Sequence, residues 1–458
     1  MKKSITLTAV LLLMLLLVAA CGTQPTIDTS IVDEANAKAA TAEAAGSTEE
    51  SPAAEPVTLK VWSMYAEGET FQKWGQQAID AFEAENPNVK VDVQWVGRDV
   101  VGVKLRNAVI SGDELPDIID LADVELKTSV IDEGMALPLD DYLNTPAYDD
   151  STPWGETFIP SIMEYLKFGG EHAYLIPRMV YSSGFFYNKN IFAENNIEIP
   201  RTWDEFIAVC EQLKAAGITP VLTDHETTYT IWPFTVAATH TAGPDQLKAA
   251  FVDKTGESWS NPDLVRGAEL ASQLTHYYQD GYEGSVWPAA QLEFVQGRGA
   301  MMFMGAWLPS EMAQQTPEGF EMDIFPFPAV NDGKGNGVNE AWTNSWLVLN
   351  STKHPDEAVD LLKFFTSKAQ MKKVVENGAP APLVGFELPK SLQGLADIFG
   401  EATQLVGRQG GLEAIDSHLL IDVLEQTAYD PLFIGKSTPE ETMKAMQKAQ
   451  ADYYQSKP

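Results

Sequence analysis

The spacing of apolar and polar residues sets out elements along most of the chain. Residues 58–65 (TLKVWSMY), bounded by Pro56 and Glu67-Gly68, are β-branched and aromatic, which predicts a strand. Phe71, Trp74, Ala78 and Phe82 then recur at helical spacing as far as Asn86-Pro87-Asn88. Val89, Val91, Val93 and Trp95 alternate with Lys90, Asp92 and Gln94, the period of a strand with one buried face. A second helix carries Val101, Leu105, Ala108 and Val109 and stops at Gly112. Residues 116–122 (PDIIDLA) form a short, continuous apolar strand, as expected of a parallel sheet covered on both faces. Strand–helix–strand–helix–strand predicts an α/β fold with a doubly wound sheet. Ligands of such sheets bind beyond the C-terminal strand ends, here residues 63–67 and 120–123.

Further along, residues 123–134 read as a helix. Residues 174–192 (YLIPRMVYSSGFFYNKNIF) form an aromatic-rich extended segment, which Ser182, Ser183 and Gly184 allow to bend. This stretch is either a buried strand of one domain or a strand that leaves one lobe and enters another. Thr202 and Glu205 form a capping box for a helix ending at Gly217, followed by a strand at 218–223 and a polar loop at 224–229. Apolar helices are expected from Trp232 and over 262–279, and strands over 300–304 and 322–327. Residues 331–339 (NDGKGNGVN) have hairpin-turn composition. A strand at 346–350 and an amphipathic helix at 355–370 follow. The rest of the chain carries no strand signal, only a helix from Leu419 and a last one capped by Thr438, with Pro439 in its first turn.

With 458 residues, more than one core is expected. Lys2 and Lys3 precede the sixteen residues 5–20, apolar and leucine-rich, which read as a secretion signal. Sixteen residues span about 24 Å as a helix, short of the roughly 30 Å hydrocarbon core, which argues against a retained membrane helix. Residues 22–56 hold almost no large apolar side chain and are expected to be a disordered tether reaching about 30–35 Å. A net charge of −34 repels nucleic acid and anionic headgroups, so neither is an expected partner. Cys210, in a predicted helix, reads as an inert buried thiol.

Catalytic signatures are missing: H-E-x-x-H, G-x-S-x-G and a phosphate-binding loop do not occur. Carboxylates are numerous enough that a glycosidase pair can be picked anywhere, so such a pair says little. No metal and no cofactor is expected; the oxygen-rich 331–339 loop lacks calcium-loop spacing. A tethered surface scaffold is a third class, which would not need a ligand cleft.

Several segments, in order, resemble the extracellular solute-binding proteins of bacterial ABC importers, in their sugar-binding branch. They are FEAENPNVKV (82–91), LPDIID (115–120), GMALPLDDYL (134–143), the central 174–192 stretch, PRTWDEF (200–206), FVQGRGAMMFMGAW (294–307) and WLVLNSTKHPDEAVDLLKFFTS (346–367). The Val18-Ala19-Ala20-Cys21 ending likewise resembles a bacterial lipobox, which implies cleavage before Cys21 and lipidation of it. The family resemblance implies a type II periplasmic-binding-protein fold: two α/β lobes, a hinge of crossing strands and a ligand cleft between them. Lobe 1 would be 57–182 plus 328–379, lobe 2 would be 183–327 plus 380–458, and Ser182, Ser183 and Gly184 would be hinge residues. The implied partners are a sugar or oligosaccharide, the permease subunits, and the membrane through Cys21. A monomer without enzymatic activity is expected. A polyamine or glycerol phosphate is the alternative ligand on the same fold.

A sugar presents hydroxyls around its rim and apolar C–H faces, so its site needs flat aromatic platforms with carboxylates and amides beside them. Eleven tryptophans are available. Trp74, Trp95 and Trp346 fall on core faces, and Trp203 follows a helix cap. Trp232, Trp287, Trp307 and Trp342 fall in loops or at element ends, where a large exposed aromatic needs a reason. The family resemblance adds Tyr229, in a loop where the family places aromatics on the sugar, and Tyr181, where it places a polar ligand contact. The polar candidates are Tyr65, Glu67, Asp120, Asp123 and Asn344, with Arg178 as a partner for one of the carboxylates or for an acidic ligand. Asp416 and His418 are weaker candidates from the other lobe.

Overall fold

The structure, a computed structural model, describes residues 56–226 and 228–456. The expected secretion signal, Cys21 and nearly all of the expected tether lie outside the described residues. In chain order the strands are β1 Val57–Ser63, β2 Val89–Trp95, β3 Ile118–Ala122, β4 Leu175–Tyr181, β5 Ser183–Asn188, β6 Thr219–Leu222, β7 Gly299–Gly305, β8 Met322–Phe325, β9 Val338–Glu340, β10 Trp342–Val348 and β11 Gln404–Val406. The helices used below are α1 Thr70–Glu85, α2 Arg98–Ser111, α3 Asp123–Leu126, α4 Trp203–Ala215, α5 Trp232–Ala242, α6 Pro262–Leu274, α7 Pro355–Phe365, α8 Lys368–Glu376 and α9 Pro439–Ser456.

Two larger sheets hold nine of the eleven strands, and β9 and β11 pair as a third. The first has the order β2-β1-β3-β10-β4, the second β6-β7-β5-β8. β1 runs parallel to both β2 and β3, as the strand–helix alternation predicts, while β10 inserts antiparallel between β3 and β4. The central stretch is therefore two strands. β4 ends at Tyr181 in the first sheet and β5 starts at Ser183 in the second, with Ser182 alone between them. Leu175–Tyr181 is buried throughout, which is why it carries no alternation.

The first sheet is packed by α1, whose Phe71, Trp74, Ala78 and Phe82 are all buried, and by α7 and α8. The Trp74 ring lies 6.3 Å from Trp346 and 5.9 Å from Phe365, so that tryptophan pair is core. Trp95 is half-buried and donates to Gln76. On the second sheet Phe185 meets Phe206 at 4.5 Å with the rings tilted, and Trp203 stacks on Phe327. A separate apolar cluster joins Phe234, Trp259, Leu419, Leu424, Tyr429 and Met446 under α9.

Several expectations are corrected. The expected helix at 123–134 is α3 continued by a π-helical turn, Lys127–Ile131. The helix expected to reach residue 279 stops at Leu274, and that expected over 355–370 breaks between α7 and α8. β10 begins four residues earlier than expected, at Trp342. Residues 331–339 do not join a hairpin. Asn331 is held by Asp204 and Arg266, Lys334 by Asp263, and Asn336 by both backbone groups of Val330, so the turn residues are satisfied by neighbouring elements. They lead into β9, which pairs parallel with β11. β11 was not expected as a strand; three residues are too few to show a period.

An aromatic site where the two sheets meet

Strand register decides which rings meet. Trp342 pairs with Tyr181 across β10 and β4, and Ser183 pairs with Gly305 across β5 and β7. The chain turns just after Gly305, so Trp307 folds back over that glycine and meets Tyr181 edge to face at 6.3 Å. Trp232 opens α5 and stacks on Trp307 at 5.8 Å and 21°. Trp342 stands 5.7 Å from Trp307 and 5.9 Å from Trp232, steeply tilted to both. Tyr229 stacks at 6.3 Å on Trp232. Five candidate aromatics thus form one group, two from the first sheet and three from the body of the second. The expectation that these rings are exposed is corrected for Trp232 and Trp342, which are 1% and 7% accessible because the rings cover one another. Trp307 and Tyr229 stay half-buried. Trp287 is 47% accessible and has no ring neighbour among the described residues.

A polar group adjoins the rings. Arg178, 2% accessible, donates to Asp120 at 2.7 Å, and Ser63 donates to the same oxygen at 2.6 Å. Cross-strand register brings Ser63 opposite Asp120. The guanidinium lies 4.4 Å from the Tyr65 ring centre and 5.4 Å from that of Trp346. Asn344 reaches the Tyr65 hydroxyl at 3.4 Å. Burial raises the Tyr65 and Tyr181 hydroxyl pKa values, which keeps both neutral and able to donate. Asp123 is 1% accessible and accepts from Thr343 N at 3.0 Å and Val124 N at 2.8 Å; burial nevertheless lifts its pKa to about 7. Glu67 is exposed. Asp416 accepts from Leu419 N and from the Tyr453 hydroxyl of α9, and His418 pairs with Asp422, so both are engaged by helical neighbours.

Three buried residues that hold the platform were not read from the sequence. Glu340 accepts from Trp232 Nε1 at 2.7 Å. Gln409 donates to Thr228 O at 2.7 Å and accepts from Thr235 at 2.9 Å. Glu425 accepts from Thr228 N with both oxygens and from the Thr230 hydroxyl. Glu425 sits in the π-helical turn Leu419–Tyr429. At α-helical spacing Leu420, Val423, Leu424 and Ala428 would share the buried face and leave Glu425 on its flank; the wider turn rotates it inward. Arg408 lies 5.3 Å over the Trp232 ring and pairs with Glu413 at 3.1 Å.

Two α/β bodies meeting at a ring-lined junction make this a two-lobe solute-binding fold. A profile of the bacterial extracellular solute-binding protein family matches residues 63–372, and the chain belongs to that family. Among relatives, the multiple sugar-binding protein of Streptococcus mutans is 26% identical over 332 residues, 69% of this chain and 73% of that one. An ABC transporter extracellular-binding protein of Pyrococcus horikoshii is 25% identical over 327 residues, 69% and 70% of the two chains. Among solved structures, ligand-free RafE of Streptococcus pneumoniae superposes with TM-score 0.70 at 21% identity, covering 88% of this chain and 99% of the other. A chitin oligosaccharide binding protein superposes with TM-score 0.67 at 22% identity, covering 87% and 99%.

Proposed function

We propose that this protein is the receptor of an ABC importer and that it captures a sugar or oligosaccharide between its lobes. The observation that carries this is the group formed by Tyr181, Tyr229, Trp232, Trp307 and Trp342 where elements of the two sheets meet. Flat rings suit the apolar faces of a sugar, and Tyr65, Asn344 and the carboxylates beside them suit its hydroxyls. The names of the Streptococcus mutans relative and of the chitin oligosaccharide binding protein point the same way. One lobe would be built on the first sheet and the other on the second. Residues 329–337 would belong with the second, since they rest on α4 and α6, and 380–384 with the first, since Pro380 accepts from Val180 N and Pro382 from Ile159 N. Ser182 and Ser183 would form the hinge, with Gly184 beside them in β5. Contacts made to ligand by both lobes at once favour the closed form, which a permease then reads. The protein would work outside the cytoplasm, tethered through lipid on Cys21, and would not turn its ligand over. A polyamine is the less suited ligand, because the Arg408 guanidinium already lies over Trp232.

The test is thermal shift with tryptophan emission against mono- and oligosaccharides, polyamines and glycerol phosphates. A sugar that raises the melting temperature and perturbs emission supports the reading. A response confined to a cationic or phosphorylated compound overturns the ligand class.

A further inference from the structure

Chain segments cross between the sheets side by side at one point. β4 of the first sheet passes to β5 of the second through Ser182, and beside it β9, of the two-stranded β9–β11 sheet, passes to β10 of the first through Ala341. Glu340 closes β9 and is 4% accessible. Its Oε2 accepts from the Ser183 hydroxyl at 2.5 Å and also from Trp232 Nε1 at 2.7 Å. Its Oε1 accepts from Gly410 N at 2.9 Å. Gly410 is itself fixed: its φ is +65°, and an added Cβ would come within 2.8 Å of Leu247 and 2.9 Å of Thr239. Burial raises the Glu340 carboxyl pKa above the ordinary carboxylate value, and the hydrogen bonds from Ser183, Gly410 and Trp232, with the Arg408 charge, oppose that rise.

We propose that Glu340 is a positioning residue that couples the Ser183 crossing to the Trp232 platform, so that bending between the lobes and placement of the ring are one event. The coupling follows from geometry. Ser183 and Trp232 lie on separate segments, yet their donors share one oxygen, and a carboxylate oxygen accepts two such bonds through its two lone pairs. If Ser183 moves, the carboxylate must follow or lose a bond, and the indole N–H moves with it. Because both groups are buried, a donor left without its acceptor is costly, which makes the arrangement stiff. Glutamine cannot reproduce it. Its single oxygen serves either the shared pair or Gly410, and its amide N–H₂ confronts the donor it fails to serve. The use of this coupling in ligand capture rests on the proposed receptor function; the coupling itself needs no ligand.

The test therefore uses the ¹⁵N-labelled full chain without ligand. Trp232→Phe identifies the Trp232 indole resonance by its loss. In Ser183→Ala, a residue remote from the indole in the chain, that resonance is expected to shift, and the Gly410 amide with it. In a Glu340→Leu background, which leaves no oxygen to share, Ser183→Ala is expected to add nothing at the indole. An indole unmoved by Ser183→Ala, or moved equally with and without Glu340, overturns the proposal. Should Glu340→Leu fail to fold, the paired response decides: both resonances moving supports the shared carboxylate, and either one staying still overturns it. A sugar panel that fails would overturn the ligand class and leave this result standing.

Discussion

The Trp307 ring lies on the Trp232 ring with centroids 5.8 Å apart and planes 21° apart, one ring carried by the turn after β7 and the other by the start of α5. Nothing but the fold relates them, since 75 positions separate the two in sequence (307 − 232). Trp307→Ala is expected to leave the fold intact, because that ring is half-buried and lies over Gly305 at a strand end. Affinity for the sugar found by thermal shift should fall about tenfold or more, about 1.4 kcal/mol in calorimetry. Gly305→Ala should do much the same with every ring retained, because its Cβ would land within the Trp307 ring. Trp287→Ala, at an exposed ring with no aromatic neighbour, should leave affinity within about twofold. Equal losses at Trp287 and Trp307 would sink the assignment.

The buried Arg178–Asp120 pair sets a second expectation. Asp120 Oδ2 takes both Arg178 and Ser63, and removing the arginine leaves a carboxylate with one hydroxyl donor in the core. Arg178→Met should cost about 3–5 kcal/mol in urea unfolding, most of it from the charge left behind. The double variant with Asp120→Leu should recover a good part of that loss. If the single variant costs less than about 1 kcal/mol, the pair is not structural.

Stability should also depend on pH through two carboxylates. Burial lifts Glu425 from 4.5 to about 7 and Asp123 from 3.8 to about 7. A group whose folded pKa lies above its unfolded one binds more protons when folded. Its contribution is complete below the unfolded value and is lost as pH rises through about 7. His240 works in the opposite sense, since burial lowers it to about 4 and its penalty disappears as pH rises toward 6.5. The informative measurement is thus a difference. Glu425→Gln should match the native melting temperature near about pH 5 and exceed it near about pH 8, by an amount worth roughly 2–3 kcal/mol at most. Parallel profiles would mean that Glu425 keeps its ordinary pKa.

How far the sequence revealed this follows from what each feature depends on. The β1–α1–β2–α2–β3 run could be read because its period is local: Phe71, Trp74, Ala78 and Phe82 needed only each other to mark a face. Trp232, Trp307 and Trp342 could be named because large rings in loops or at element ends are conspicuous, and Tyr181 and Tyr229 through the family resemblance. That they cover one another could not, since it depends on the Trp342–Tyr181 register and on the chain reversal at Gly305. Glu340, Gln409 and Glu425 were invisible for a stronger reason. An acidic or amide side chain in a polar stretch reads as solvated, and only the donors converging from Ser183, Trp232 and Gly410 on Glu340, Thr235 on Gln409 and Thr228 on Glu425 show otherwise. Gln409 carries one trace of its role, a φ of +60° that a side chain rarely adopts.

Gly184 shows how a correct observation can have a different cause. In sequence it is a small residue amid aromatics, read as freedom for the backbone to bend. In the fold it lies in β5 without positive φ, and an added Cβ would sit 2.5 Å from the Phe325 carbonyl and 2.9 Å from Ile324 Cγ1. Glycine is needed there because β8 approaches too closely for any side chain. Gly184→Ala should therefore part β5 from β8 and cost about 1–3 kcal/mol in chemical denaturation. It should not alter ligand-induced compaction in small-angle scattering, because the conformations open to the Ser182–Ser183 linkage are unchanged. Stability held within about 0.5 kcal/mol together with lost compaction would return Gly184 to the role of a flexible joint.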